Sequence, residues 1–147
     1  MKTLKILFVC VHNSARSQMA EAWANHMAPD NVRAESAGLE PGVLNPLAVE
    51  VMKEAGLDIS NKETRSVFDL FKEGRLYTHV ITVCDEVSAE RCPIFPGIVA
   101  RKHWSFADPS SFTGSDKEKL AAIREIRDLI KKKIAGFLKD IGIEPKA

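Results

Sequence analysis

The sequence has too few cysteines for a disulfide framework. It contains three, Cys10, Cys84 and Cys92. An odd count with no secretion signal argues against structural bridges, leaving reduced thiols with a chemical task or plain core cysteines. Net charge is nearly absent, +1 with the histidines neutral, so no broad field draws the chain to nucleic acid or an anionic membrane. No apolar run approaches the roughly 20 residues that cross a bilayer. No Gly-Lys-Ser/Thr is present, which excludes a Walker loop. No internal repeat or low-complexity tract occurs. The start, MKTLKILFVC, has two lysines before a short apolar stretch, as a secretory leader does. No small-residue cleavage site follows, and cleavage would remove Cys10. It reads as the first strand of a cytoplasmic protein, with residues 1–147 forming a single domain.

What is present alternates strand and helix. Leu4 to Val9 is apolar on both faces, as a covered parallel strand is. The next helix, Ser17 to about His26, sets Met19, Ala20, Trp23 and Met27 on one face. Val32 to Ala37 predicts a second strand, stopped by Gly38. Asn45-Pro46 predicts the cap and first position of a helix that runs to Ala55 and stops at Gly56. Val67 to Phe71 predicts a short helix, and Val80 to Val83 a third strand. Asp85 to Arg91 suits one or two helical turns, and Ile98 to about His103 a fourth strand. Ser115 and Glu118 form a capping box at the head of the longest helix. Its apolar stripe is Leu120, Ile123, Ile126, Ile130, Ile134, Phe137 and Ile141, and Lys131, Lys132 and Lys133 read as a solvated face.

This order predicts an α/β fold, an open parallel sheet with helices on both faces. Such sheets bind ligands beyond the carboxyl ends of their strands. Cys10, Cys84 and Asp108 all fall at or just past such an end, which brings them to one edge of the sheet.

The stretch CVHNSARSQ lies between the first strand and the first helix. A strand-to-helix loop turns backbone N–H groups towards one point, and the helix N-terminus adds partial positive charge. Residues Val11, His12, Asn13, Ser14, Ala15, Arg16 and Ser17 are therefore the candidate oxyanion cradle. Arg16 offers a planar fork for two oxygens. The same field favours the Cys10 thiolate, a nucleophile facing the phosphorus or arsenic of a bound oxyanion. Ser17 could donate to the sulfur, and the Asn13 amide is suited to holding the loop's own backbone. His12 reads as structural, with its side chain turned from the anion. The plainer alternative makes Cys10 a buried strand residue and Arg16 a surface one.

With these residues in view, CVHNSARSQMAE resembles the active-site loop and first helix shared by low-molecular-weight tyrosine phosphatases and thiol-dependent arsenate reductases. The resemblance continues through ESAGLEPGVLNPLAVEVMKEAGLDIS, ITVCDEVSAERCP and HWSFADP. It implies a four-stranded parallel sheet of flavodoxin-like winding. It also implies roles: Cys10 attacks the oxyanion, Arg16 binds it, and Asp108 of the Asp-Pro pair protonates the leaving group. A phosphatase needs no more cysteines. An arsenate reductase must deliver two electrons, so a second thiol attacks Cys10 and a third resolves the disulfide. Cys84 and Cys92 match that pair. Gln18 and the Ser110-Ser111 that follows Asp108-Pro109 also fit the reductases, where phosphatases tend to have proline and an aromatic pair.

The resemblance thus implies a cytoplasmic, monomeric thioredoxin-coupled arsenate reductase for arsenic detoxification, with weak phosphatase side activity. Arsenate would be its substrate and thioredoxin its electron donor, without cofactor, nucleic acid or membrane partner. Alternatives are a low-molecular-weight tyrosine phosphatase and a non-catalytic oxyanion sensor; slow iodoacetamide labelling of Cys10 at pH 6 would favour the sensor. Ala15 replaces a cysteine that many relatives carry. Some reductases hold potassium beside the loop; Asn13, Glu21 and Ser36 match three of its ligands, while Arg65 stands near the fourth. If the chain from Cys84 to Cys92 is helical it spans about 12 Å. A disulfide needs α-carbons within roughly 7 Å, so this segment is expected to unwind during turnover.

Overall fold

The computed structural model describes residues 3–147, with Glu86 through its backbone alone. Met1 and Lys2 of the leader-like start lie outside the described residues. Four strands form one parallel sheet: β1 (Leu4–Cys10), β2 (Val32–Gly38), β3 (His79–Thr82) and β4 (Ala100–His103), in the order β2-β1-β3-β4. The helices are α1 (Arg16–Met27), α2 (Pro46–Glu54), α3 (Val67–Lys72), α4 (Glu86–Ala89) and α5 (Asp116–Asp140). Among the described residues no helix is long and apolar enough to cross a membrane.

Local chemistry explains most of the boundaries. Asn45 accepts from the Leu47 N–H at 2.9 Å, capping α2, and Pro46 fills its first position. Ser115 and Glu118 make the reciprocal box that opens α5. Gly56 takes the left-handed conformation, φ 85°, just past α2.

The period-2 alternation of β1 sorts the interior into two apolar clusters. Ile6, Phe8 and Cys10 face the larger one, which packs beneath α1, α2 and α5 with Met19, Met52 and Ile130. Leu7 and Val9 face the smaller one, with Val67 and Leu70 of α3, Tyr77, Phe95 and Cys92. Each fully buried isoleucine or methionine here contributes roughly 1.5–3 kcal/mol, which fixes the register of β1 against slippage.

The structure differs from the sequence reading in three places. Ile98 lies outside β4 and is fully exposed. Gly97, at φ 92°, turns the chain before it, and β4 is an exposed edge strand whose Arg101 and Lys102 face water. Ile141 lies beyond the end of α5, and Leu138 is buried in its place. The lysine run is more than a solvated face. Lys131 Nζ stands 4.9 Å from the Trp23 ring centre and Lys133 Nζ 5.6 Å from that of Trp104, so both ammonium groups cover aromatic faces.

Candidate active site

Residues 11–15 join β1 to α1 without regular structure. The carbonyls of Cys10, Val11, His12 and Ser14 accept from the N–H groups of Leu39, Glu40, Gly42 and Asn45. In a trans peptide the following N–H points opposite to the carbonyl. The N–H groups of Val11, His12, Asn13 and Ala15 therefore turn into the loop. The Asn13 N–H shows the result, donating to Cys10 Sγ at 3.1 Å. At the far end Ala15 caps α1 without a side-chain acceptor, so the helix's first N–H groups are left for an external anion.

Gly38 makes this close approach possible. It pairs with Cys10 across β1 and β2. A Cβ there would lie 2.8 Å from Val11 O and 2.9 Å from Asn13 N. The neighbours are backbone and cannot swing aside. Gly38→Ala should therefore lower stability by about 1–3 kcal/mol and open the loop. Thermal unfolding together with turnover would check this; a fully active, equally stable variant would refute it.

Two side chains complete the cradle. Arg16 is buried, its Nη1 donating to Phe106 O at 3.2 Å and its Nη2 standing 3.7 Å from Asp108 Oδ2. Asp108 is half exposed. Its Oδ1 accepts from the N–H and hydroxyl of Ser110, at 3.0 and 2.8 Å. That pins the carboxylate and leaves Oδ2 facing Arg16.

A buried relay fixes the hydrogen bond to sulfur. The Arg65 N–H donates to Asn13 Oδ1 at 3.0 Å, so the other amide atom, Nδ2, is the donor to Ser17 Oγ at 2.7 Å. Ser17 Oγ stands 2.9 Å from Cys10 Sγ; a thiolate can only accept, so towards the thiolate the Ser17 hydroxyl is the donor. Asn13 thus holds Ser17 and a distant segment, and only its main chain serves the loop. Its φ of 55° is a left-handed value that few residues other than glycine adopt. His12 is exposed, with Nδ1 3.0 Å from Glu40 O.

Cys84 is fully buried in the same cluster as Cys10. The Val83 N–H donates to Val9 O at 2.8 Å, which sets Cys84 beside the end of β1. Burial pushes its thiol up to about 11; the Arg16 charge opposes this and the Cys10 sulfur adds to it. Cys92 lies in the other cluster, across the sheet from Cys10 and Cys84. Burial likewise pushes its thiol up to about 11, against the pull of Arg101. Both thiols titrate above the unfolded value near 9, so the folded state holds its protons longer. Their contribution to stability is complete below pH 9 and lost as pH rises towards 11. Unfolding in denaturant should show a fall on the order of 2 kcal/mol per thiol across that window. A flat profile would contradict it.

The three residues that match a potassium site bond to protein groups in this structure. Ser36 Oγ donates to Glu21 Oε1 at 3.0 Å, and the Lys62 ammonium meets Glu21 Oε2 at 2.8 Å as an ion pair. Asn13 Oδ1 accepts from the Arg65 N–H and from Gln18 Nε2. A protein cation therefore already neutralises Glu21. His103 Nδ1 lies 2.7 Å from Thr82 Oγ1.

Sequence reasoning passed over Gly38 and Lys62 as parts of this site, and met Arg65 only as standing near a fourth potassium ligand. Gly38 carried a signal, a glycine closing a strand beside a catalytic one. The other two lie some fifty residues from the loop and carried none.

The family model for low molecular weight phosphotyrosine protein phosphatase matches residues 5–146. The chain belongs to that family. Within it, the phosphatase-family chain is 41% identical over 138 residues to the arsenate reductase of Bacillus subtilis, covering 93% of this chain and 96% of that protein. It superimposes on an arsenate reductase in its oxidized state with a TM-score of 0.78 at 26% identity, covering 95% of this chain and all of the other. A thioredoxin-dependent arsenate reductase of Corynebacterium glutamicum aligns at TM-score 0.60 and 28% identity, over 91% of this chain and 62% of that one. The four-stranded parallel sheet expected from the sequence is thus the fold of these family members.

Proposed function

We propose that this family member reduces arsenate to arsenite. One observation carries the reading: Cys84 is seated beside the Cys10 loop on the same side of the sheet. Hydrolysis of a thiol-bound phosphate has no use for a second thiol there, whereas reduction requires one.

The inward N–H groups and the Arg16 fork hold arsenate in line with Cys10. The Cys10 thiolate attacks arsenic as an As–O bond breaks. Asp108 Oδ2 supplies the proton, and the oxygen leaves as water. Ser17's hydrogen bond steadies the sulfur before attack. Arsenylation also removes the thiolate that helps keep Cys84 protonated. Cys84 then attacks Cys10 Sγ. The S–As bond breaks with its electron pair going to arsenic, which leaves as arsenite while the Cys10–Cys84 disulfide forms. Cys92 attacks Cys84 and releases the Cys10 thiolate. An external dithiol protein of thioredoxin type reduces the Cys84–Cys92 disulfide. The protein acts as a single-domain monomer in the cytoplasm, a reducing compartment suited to free thiols.

The last thiol exchange requires movement. α4 is a single turn capped by Asp85, whose carboxylate accepts from the Ser88 N–H at 2.7 Å. So short a helix is held weakly, and its unwinding can bring Cys92 to Cys84.

The test is arsenate-dependent NADPH oxidation with thioredoxin and thioredoxin reductase. Oxidation that saturates with arsenate and stops in its absence is expected. Hydrolysis of aryl phosphates without arsenate turnover would return the protein to the phosphatase reading.

A further inference from the structure

We infer that Lys62 is a positioning residue for Cys10, acting through a strap of irregular chain that closes over the back of the loop. The inference rests on Cys10 being the nucleophile.

Residues 62–65 have no regular structure, yet each is tied inward. The Lys62 ammonium reaches Glu21 Oε2 at 2.8 Å. Glu63 O accepts from Gln18 Nε2 at 3.1 Å. The Thr64 hydroxyl donates to Gly42 O at 2.6 Å. The Arg65 N–H donates to Asn13 Oδ1 at 3.0 Å, and Arg65 O accepts from the Gly38 N–H at 2.8 Å. Asn13, Gln18 and Glu21 are themselves buried.

This strap decides which way the Asn13 amide faces. Arg65 N–H is a donor in every state, so it fixes Oδ1 and thereby Nδ2, Ser17 and the proton turned to Cys10. A left-handed residue such as Asn13 persists only where its surroundings over-determine it. Without the strap Asn13 Oδ1 keeps only the longer bond from Gln18 Nε2, at 3.2 Å, and Gln18 itself loses its anchor at Glu63 O, so the donor that Ser17 receives is held less firmly.

Lys62 is the charged link. A buried carboxylate requires a cation or loses its charge. Ser36 serves one oxygen of Glu21, and Lys62 serves the other from a half-exposed position. Gln18 Oε1, buried and unpartnered, adds an acceptor to the same negative patch beneath the strap. Lys62 is therefore held at the first residue of the strap by a demand that lies in α1, and the three residues after it follow in place.

The variants K62M, K62R and the double variant E21Q/K62M test this. Two quantities are read: labelling of Cys10 by iodoacetamide at pH 7, followed by mass spectrometry, and kcat and KM for an aryl phosphate. K62M should lose roughly tenfold in labelling rate and in kcat, within the hundredfold that a misplacement of about 1 Å can cost. KM should stay within about twofold, because the anion is held by the N–H groups and Arg16. K62R should recover most of the loss. E21Q/K62M should stay as impaired as K62M, because a neutral amide at position 21 removes the unpaired charge but gives the strap no tether. These two variants keep the test sound if K62M folds poorly. A K62M protein with wild-type labelling and kcat would overturn the strap, as would a deficit that K62R fails to relieve or that E21Q/K62M fully relieves. Wild-type Cys10 that labels no faster than a free thiol would overturn the nucleophile reading and the strap with it, whereas absent arsenate turnover alone would leave both standing.

Discussion

Cys10→Ser should abolish arsenate turnover, to below about one part in ten thousand of the wild-type rate, while phosphate or arsenate still binds. The hydroxyl has the size to sit in the loop but stays protonated at neutral pH, and no base in the site activates it. Its partner Ser17 is a hydroxyl that can donate to a thiolate but is too weak a base to take the proton of a serine. The cradle does not depend on the sulfur, because its carbonyls are fastened to residues 39–45. Isothermal titration with arsenate would then show binding without chemistry. Arg16→Lys should fail for another reason. The guanidinium spans two points, Phe106 O and Asp108 Oδ2, and an ammonium cannot replace a planar fork. A loss of about a hundredfold to a thousandfold is expected, comparable to removal of an oxyanion-hole donor. Substantial turnover by either variant would remove the loop from the mechanism.

Cys84→Ala should separate the two chemistries of the family. Aryl phosphate hydrolysis needs Cys10, Arg16 and Asp108, and should stay within about threefold of wild type. Arsenate reduction should stop after one half-reaction, leaving arsenic on Cys10 with no thiol placed to attack the sulfur. Rapid-quench mass spectrometry would find the arsenylated peptide, and no arsenite beyond background. Cys92 does not substitute, since it is buried in the cluster on the other side of β1. Normal arsenite production by Cys84→Ala would mean that the second thiol has been misassigned and would favour direct attack by an external thiol.

How much of this could be read in the sequence depended on the range of the interactions. Asn45-Pro46, Ser115-Glu118 and Gly56 act within a few residues of themselves, and the helix ends fell close to where those residues put them. The alternation of β1 and the strand–loop–helix order of CVHNSARSQ were equally local, so the placement of Cys10, Ser17 and Cys84 followed. Ile98 was misread because its apolar character suggested a core strand, whereas the turn at Gly97 and the edge position of β4 left nothing to pack it against. Lys62 could not be read at all, and Arg65 was met beside a cation site but not as the donor to Asn13. Their meaning depends on Glu21 and Asn13, and the meeting is made by the fold. The side of the sheet on which Cys92 lies was hidden for the same reason, since the seven residues between it and Cys84, a single helical turn and its flanks, are too few to carry a period.

That last arrangement has a consequence for the idle molecule. Three reduced thiols in one small protein invite wasteful oxidation, and a peroxide pulse can close any pair that meets. Here a layer of β-structure keeps Cys92 from Cys10 and Cys84, and no change of rotamer passes through it. A stray oxidant can directly link only the two thiols that share a side, and the bond it makes is the one that the first exchange of turnover makes. The disulfide that drains reducing power from the cell forms only after the 85–91 segment has left its seat. The sheet therefore sets an order on the thiols, and Cys92 is spent only after Cys10 and Cys84 have been joined.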